Sequence, residues 1–361
     1  MRIEFERAGR DNRTMRVLII GGTRFIGPYV VRRLLDLGHS VMIFSRNRNC
    51  QYLPHGIWHF WEQRDALRSF RQEFINWAPD VVLDMCAYTE AQARDAVAVF
   101  KGVCGRLVLI SSSDVYRGWD RFFLRTESTA LEQTPFTAEA PLRDKLYPRR
   151  AQAKDSSDPE YDYEKILVER AMSSDPALPC SILRLPAVYG PRDYRRRLFG
   201  IVKRMADARP FILMESARAK WMWTWGYVEN VAGAIALATV HERSKNKVYN
   251  VGENVALTQE EWVLRVGSAM GWRGEIILLE PGQMPLHLQE SQPMDFRQHL
   301  TMDTTRIRRD LGFADQVPFE QGLAKTIKWL RTCAPEPSEM KEFDYSAEDA
   351  CLKLARAAQS R

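Results

Sequence analysis

From Met15 onward, short apolar runs alternate with segments whose apolar residues recur at helical spacing. The run MRVLIIGG is typical of a buried strand that enters a glycine turn, and residues 25–37 have the spacing of a helix that ends at Gly38. Further predicted strands are HSVMIFS, GIWHFW, DVVLDM, RLVLISSS and CSILRL, and further predicted helices cover 64–76, 90–101, 160–173, 198–205, 258–270 and 319–331. This alternation predicts an α/β fold with a doubly wound parallel sheet.

Length and composition place the chain among ordinary folded proteins. It has 361 residues, 45% hydrophobic and 27% charged, and at roughly 150 residues per domain it holds one large domain or two. No apolar run approaches the ~20 residues that span a bilayer, and polar residues 1–14 are expected to form a flexible extension. Six scattered cysteines, without a CxxC pair, favour reduced thiols, a cytoplasmic location and no metal site.

The excess of basic residues in one stretch equals the whole net charge of +6. Residues 195–220 carry eight basic residues against Asp207 and Glu215. Such a run is typical either of a solvated helix face or of a site that binds an anion, and the sequence leaves both readings open. A second unusual stretch, 114–158, is rich in Pro, Arg, Asp and Thr. Long connections of this kind are usually functional or mobile.

The turn after the first strand is a candidate nucleotide site. Glycines here let the backbone approach a pyrophosphate, whose charge the N-terminus of the next helix stabilises. The turn follows a buried strand and opens a helix, which is the context that this motif requires. Its predicted cofactor-binding residues are Gly21, Gly22, Thr23, Arg24, Phe25, Ile26 and Gly27.

The end of the second strand favours NADP(H) over NAD(H). Enzymes that prefer NAD place a carboxylate there for the ribose 2′-hydroxyl. This chain has Ser45, Arg46 and Arg48 instead, and an arginine suits a 2′-phosphate. Arg24, within the glycine turn, points to the same partner. Asp65, just after the third strand, is a candidate for the adenine edge.

A tyrosine and a lysine form the candidate catalytic pair. Tyr161 and Lys165 are four residues apart on a predicted helix, so their side chains face the same way. A tyrosine with a pKa near 10 needs a neighbouring cation to act as a base at neutral pH. Tyr161 then takes a hydroxyl proton while hydride leaves to a nicotinamide, and Ser112 binds the same substrate oxygen.

These motifs resemble the extended short-chain dehydrogenase/reductases, the NAD(P)-dependent epimerase/dehydratase family, from Met15 to about Arg331. The resemblance is carried by GGTRFIG, ISSSDVY, YDYEK, LRLPAVYGPRD, GYVENVAGAIALA and KVYNVGE. It implies a Rossmann sheet of about seven strands, a smaller C-terminal α/β domain for a sugar-like or nucleotide-sugar substrate, and a homodimer. It also implies Ser112, Tyr161 and Lys165 as catalytic residues. The predicted boundaries are 1–14 for the extension, 15–190 plus 226–255 for the Rossmann domain, 191–225 plus 256–335 for the substrate domain and 336–361 for a C-terminal tail.

The chain departs from the family pattern at three positions. Arg24 replaces the second glycine of the turn, as in an atypical branch that includes proteins similar to the chloroplast stem-loop RNA-binding proteins. Tyr163 is a second tyrosine close to Lys165. Trp223 stands where the family often has an arginine for the nucleotide-sugar phosphate, which weakens the nucleotide-sugar interpretation.

Further substrate contacts are predicted from Asp114, Arg192 and the alternating tryptophans. Trp221, Trp223 and Trp225 either line the cleft, where a sugar or aromatic ring stacks on them, or belong to the core. A dehydratase usually has acidic groups directly after the catalytic Ser or Thr, and Asp114 makes dehydration possible without favouring it.

Three functions therefore remain open. The first is an oxidoreductase or epimerase acting on a hydroxyl or keto group of a small sugar-like molecule. The second is a nucleotide-binding or RNA-binding protein of the same fold, motivated by Arg24 and the basic segment 195–220; nucleic acid is the less favoured partner because no RNA-reading motif appears. The third is an isoflavone-reductase-like ketone reductase. No membrane partner is expected.

Overall fold

The computed structural model describes residues 14–46, 51–332, 340 and 343–359. Its strands are β1 (Arg16–Ile20), β2 (Ser40–Phe44), β3 (Trp58–Phe60), β4 (Val81–Asp84), β5 (Arg106–Ser112), β6 (Cys180–Leu185), β7 (Ala187–Tyr189), β8 (Phe211–Glu215), β9 (Trp225–Tyr227), β10 (Val248–Asn250) and β11 (Glu275–Leu279). Seven of them form one sheet in the order β10-β6-β5-β4-β1-β2-β3, with every pairing parallel. The predicted doubly wound α/β sheet of about seven strands is confirmed.

Helices cover both faces of this sheet. They are α1 (Ile26–Asp36), α2 (Arg71–Trp77), α3 (Glu90–Phe100), α4 (Arg117–Phe122), α5 (Lys165–Met172), α6 (Phe199–Ala206), α7 (Ser216–Ala219), α8 (Val228–Val240), α9 (Gln259–Met270), α10 (Thr305–Leu311), α11 (Phe319–Thr332) and α12 (Tyr345–Gln359). β1 reads RVLII and β4 reads VVLD, and both are buried except for Arg16, because they lie at the centre of the sheet with helices above and below.

The strand order places a crevice where ligands bind in such sheets. The chain runs from β1 to β2 and β3 on one side of β1 and then crosses to β4 on the other side, so the carboxyl ends of β1 and β4 flank a topological switch point. The register pairs Ile20 with Phe44 and with Asp84 at those ends. The glycine turn, the end of β2 and the end of β4 therefore meet at one edge of the sheet.

A smaller unit follows β6. β8 and β11 pair in parallel, and α12 packs on them through Leu352, which joins Phe211, Leu213 and Leu279 in one buried cluster. The predicted boundaries between the two domains remain a prediction. The N-terminal extension lies outside the described residues as far as residue 13.

The connection 114–158 is packed against the body of the protein. α4 lies within it, and β-bridges join Tyr116 to Leu142 and Phe136 to Met302. Gly118 of α4 makes this packing possible, because a Cβ there would lie 2.2 Å from the Phe136 ring.

The cations of the basic segment are largely neutralised within the chain. Arg204 is buried and its guanidinium donates to the fully buried Glu348 of α12 at 2.6 Å. Other pairs are Arg197–Asp193, Lys203–Asp207, Arg209–Asp349 and Arg218–Glu290. The prediction of a solvated helix face is therefore wrong for Arg204, whose charge is matched by a residue far along the sequence. Among the described helices, none combines the length and the apolar character that crossing a bilayer requires.

Candidate active site

The glycine turn has the geometry of a pyrophosphate cradle. Gly21 and Gly22 have positive φ angles of 89° and 76°, a conformation that side chains disfavour. Gly27 packs so closely that a Cβ on it would lie 2.2 Å from the backbone of Gly22. No side chain caps the first turn of α1, and that turn contains no acidic residue. This end of α1 is therefore suited to an anion, because no carboxylate of the first turn competes for its amide groups.

The remaining residues of the turn differ in exposure. Thr23 and Phe25 are buried, Ile26 is half-buried and Arg24 is exposed. Phe25 also has a positive φ of 45° and precedes α1 directly. The turn is thus anchored by two buried side chains, whereas the Arg24 guanidinium is accessible to a ligand.

The end of β2 carries a buried serine and an exposed arginine. Ser45 is 8% exposed, and its hydroxyl lies 2.8 Å from Nε2 of His59 on β3. Arg46 and Asp65 are exposed, the latter in the first turn of a 3-10 helix. Arg48 lies outside the described residues. The position where NAD enzymes hold a carboxylate therefore contains a serine hydroxyl.

Lys165 lies at the centre of the site. It is the first residue of α5 and is 4% exposed, and its ammonium donates to the carbonyl oxygens of Ala87 at 2.7 Å and Ile110 at 2.9 Å. Ala87 lies three residues after the end of β4 and Ile110 lies near the end of β5, so the lysine joins these two segments beside the crevice. Burial lowers the pKa of Lys165 from 10.5 to about 8.

Ser112 is the last residue of β5, and Asp114 lies two residues after it. The Ser112 hydroxyl accepts the Asp114 N–H at 3.2 Å. Asp114 is 8% exposed, and its Oδ2 accepts a hydrogen bond from the Tyr163 hydroxyl at 2.8 Å. Its Oδ1 is buried without a hydrogen-bond partner in the described part of the chain. Burial and the Asp114 charge raise the pKa of Tyr163 well above 10.

The predicted helix 160–173 begins later than expected, which corrects the geometry of the catalytic pair. α5 starts at Lys165 because the Glu164 side chain caps it by accepting the Ile166 N–H at 2.8 Å. Buried Arg143 of the connection 114–158 holds that carboxylate at 3.0 Å. Tyr161 therefore precedes the helix and does not share a helical face with Lys165.

Tyr161 is half-buried in the segment that leads into α5. The guanidinium of Arg150 lies 4.5 Å from its ring centre. Within the described residues its hydroxyl has no hydrogen-bond partner, in contrast to that of Tyr163. The two tyrosines thus differ. Tyr161 has the family spacing of four residues from Lys165 and a hydroxyl that is available to a substrate, whereas the Tyr163 hydroxyl is bonded to Asp114.

A buried ion pair that the sequence reasoning missed lies beside the crevice. Arg64 donates to both oxygens of Asp84 and to the carbonyl of Gln92, and its Nη1 is 3.5 Å from Cys86 Sγ. A carboxylate at the end of the buried strand VVLD is the signal for such a pair, because it needs a cation. Through this pair, Arg64 links the segment after β3 to Asp84 at the end of β4.

The tryptophans belong mainly to the core. Trp221 and Trp225 are each 6% exposed, so the core interpretation is correct for them. Trp223 is half-buried and packs edge to face against Trp119, with ring centres 5.7 Å apart. Arg192 places its guanidinium 3.8 Å from the ring centre of Tyr52. Its contact with a substrate remains a prediction.

The fold and these positions define a Rossmann-type dinucleotide-binding protein with a lysine and a serine at the adjacent strand ends. Residues 17–252, more than half of the chain, match the model of the "NAD dependent epimerase/dehydratase family". The chain belongs to this family.

Curated relatives have different activities. A dTDP-glucose 4,6-dehydratase of Streptomyces niveus is 26% identical over 355 residues, covering 88% of this chain and 93% of the relative. A 2′-dehydrokanamycin reductase of Streptomyces kanamyceticus is 25% identical, covering 72% and 67%. A chloroplast stem-loop binding protein of Arabidopsis thaliana is 21% identical, covering 93% and 84%.

Solved structures confirm the fold. A UDP-glucose 4-epimerase of Thermotoga maritima superposes with a TM-score of 0.63 at 17% identity, covering 88% of this chain and 99% of that one. A UDP-glucose 4-epimerase of Thermus thermophilus in complex with NAD gives a TM-score of 0.60 at 20% identity, covering 89% and 100%.

Proposed function

We propose that this chain is an NADP(H)-dependent oxidoreductase or epimerase that acts on a hydroxyl or keto group of a sugar-like substrate. The observation that carries the proposal is the meeting of an open pyrophosphate cradle at Gly21–Gly27 with a buried lysine and a serine at the next strand ends. A cradle alone fits any nucleotide-binding protein, whereas Lys165 and Ser112 beside it fit hydride chemistry.

The fit of the cofactor rests on this chain's own residues. The amides of the glycine turn and α1 bind the pyrophosphate, Ser45 and Arg46 face the adenosine ribose, and Lys165 faces the nicotinamide end. The nicotinamide ring, when bound, accepts or returns a hydride. The absence of a carboxylate at Ser45 and the exposure of Arg24 and Arg46 support NADP(H) rather than NAD(H).

In this proposal Ser112 and Tyr161 handle the substrate oxygen. Ser112 Oγ donates to that oxygen, and Tyr161 removes or supplies its proton. The buried Lys165 ammonium supplies a positive charge beside the crevice. Tyr163 is assigned a positioning role, since its proton is already held by Asp114 and its pKa is raised.

The substrate class is supported by the relatives and limited by Trp223. The names of the two Streptomyces relatives denote action on dTDP-glucose and on 2′-dehydrokanamycin. Trp223 packs among aromatic rings and offers no cation for a diphosphate. We therefore propose a sugar-like substrate without requiring a nucleotide, and leave reductase, epimerase and dehydratase as outcomes of the assay.

The test is a turnover screen of the full-length protein. Free keto sugars, aminoglycoside ketones and nucleotide sugars are incubated with NADPH or NADP⁺, and cofactor absorbance and product masses are followed. Lys165→Met should abolish turnover, whereas Lys154→Met, at an exposed lysine, should not. Binding of a stem-loop RNA that is unaffected by Lys165→Met, together with no turnover, would instead support the RNA-binding alternative.

A further inference from the structure

A serine at the end of β2 pairs with a histidine of β3, at the position where proteins of this fold bind the adenosine ribose. Ser45 directly follows β2, and His59 is the central residue of β3. Ser45 Oγ and His59 Nε2 are 2.8 Å apart. Family membership does not require a histidine here, because the usual partner of the ribose is a carboxylate at the end of the second strand.

The backbone N–H and carbonyl of Ser45 both have hydrogen-bond partners, and its hydroxyl is a further polar group that can contact a ligand. Its N–H donates to the Phe60 carbonyl at 3.0 Å, and its carbonyl accepts the Glu62 N–H at 3.1 Å. Both bonds go to β3 or to the segment directly after it. The hydroxyl is therefore held at a fixed point at the mouth of the crevice.

His59 is itself held in place. Its ring stacks on Trp61, with centres 3.5 Å apart and planes at 23°. Burial lowers the pKa of His59 below 6.5, so at neutral pH the ring is uncharged and carries one proton. The direction of the bond to Ser45 then depends on which ring nitrogen holds that proton.

The two directions suit two different cofactors. With a proton on Nε2, His59 donates to Ser45 Oγ, and the serine O–H is free to donate to an acceptor. A 2′-phosphate offers only acceptors. With Nε2 bare, the serine donates to His59 and its oxygen can accept a ribose 2′-hydroxyl proton instead. Exposed Arg46, the next residue, favours the phosphate.

We propose that His59 acts through Ser45 to select the 2′-phosphate of NADP(H): Nε2–H donates to Ser45 Oγ, and the Ser45 hydroxyl donates to the phosphate. This inference rests on the proposed function, since it needs a bound dinucleotide. In this proposal His59 of β3 is a positioning residue that acts in addition to Arg46.

The test measures dissociation constants of NADPH and NADH by calorimetry on the full-length protein. His59→Leu should weaken NADPH binding about tenfold, the upper end of the range for one lost neutral hydrogen bond, and change NADH binding less than about twofold. His59→Gln, whose amide N–H can donate to Ser45 Oγ, should stay within about threefold of wild type for NADPH. His55→Leu, at an exposed histidine nearby, is the matched control and should change neither constant.

The double substitution distinguishes action through Ser45 from an independent effect. Ser45→Ala combined with His59→Leu should bind NADPH no more weakly than Ser45→Ala alone. Equal loss of both cofactors in His59→Leu, no loss of either, or additive losses in the double variant would overturn the inference while leaving the proposed function intact. Failure of the wild-type protein to bind either cofactor would overturn both.

Discussion

Separate replacement of Tyr161 and Tyr163 by phenylalanine distinguishes chemistry from packing at the site. Tyr163→Phe removes a hydroxyl that donates to buried Asp114 at 2.8 Å. A hydrogen bond to a charged group contributes about 1.5–3 kcal/mol, and for a chain of this length about 2 kcal/mol corresponds to a Tm decrease of roughly 3 °C. Tyr161→Phe removes a hydroxyl without a partner among the described residues, so its free energy of unfolding should change by less than about 0.5 kcal/mol.

The two substitutions should affect turnover in the opposite order, with the larger loss in Tyr161→Phe. Loss of a general acid or base costs about 10²–10⁴ in rate, or about 2.7–5.4 kcal/mol of activation free energy. Tyr161→Phe should lose this much in kcat, whereas Tyr163→Phe should lose less than about tenfold. The assay is the initial rate of NADPH consumption on a substrate accepted in the screen, beside thermal unfolding of each variant. A large loss of kcat in Tyr163→Phe with little loss in Tyr161→Phe would refute the assignment and make Tyr163 the proton-transfer group.

Three further outcomes are expected. Gly27→Ala should lower the free energy of unfolding by about 1–3 kcal/mol and abolish NADPH binding, because its Cβ would overlap the turn. Gly233→Ala, which has open space around it, should leave the free energy of unfolding unchanged or raise it. Glu348→Gln should lower the urea-derived free energy of unfolding by about 3 kcal/mol, because it removes the buried negative charge that pairs with buried Arg204. Glu320→Gln, at an exposed carboxylate, should have little effect. Unfolded lysine titrates near 10.5 but folded Lys165 near 8, so between these pH values the unfolded state binds more protons. Wild-type stability should therefore rise across that window by up to about 1.4 kcal/mol per pH unit, relative to Lys165→Met, and a flat difference would contradict the burial of the ammonium.

Local patterns were sufficient to predict the sheet and the glycine turn. The runs VLII and VVLD are buried and need no distant partner to be recognised as strands. Gly21, Gly22 and Gly27 have a fixed spacing around a strand end and a helix start, so the conformation of the turn follows from the local backbone. These features depend on residues that are close in sequence.

Features that depend on distant residues could not be predicted in the same way. α5 starts at Lys165 because Glu164 is held by Arg143, which belongs to the long connection before it. Arg204 is neutralised by Glu348, far beyond it in the chain. Periodicity detects a helix but not the ion pair that sets its first residue or neutralises its charge.

The central claim is that the crevice binds a nicotinamide dinucleotide carrying a 2′-phosphate. Calorimetric titration of the wild-type protein and of Arg46→Ala with NADPH and then NADH tests it most directly. NADPH should bind more tightly than NADH, Arg46→Ala should weaken NADPH binding about tenfold or more, and NADH binding should change less than about twofold. Tighter binding of NADH, with no effect of Arg46→Ala, would contradict the assignment of NADP(H) as the cofactor. Binding of neither dinucleotide would contradict the proposal that this chain is a dinucleotide-dependent enzyme.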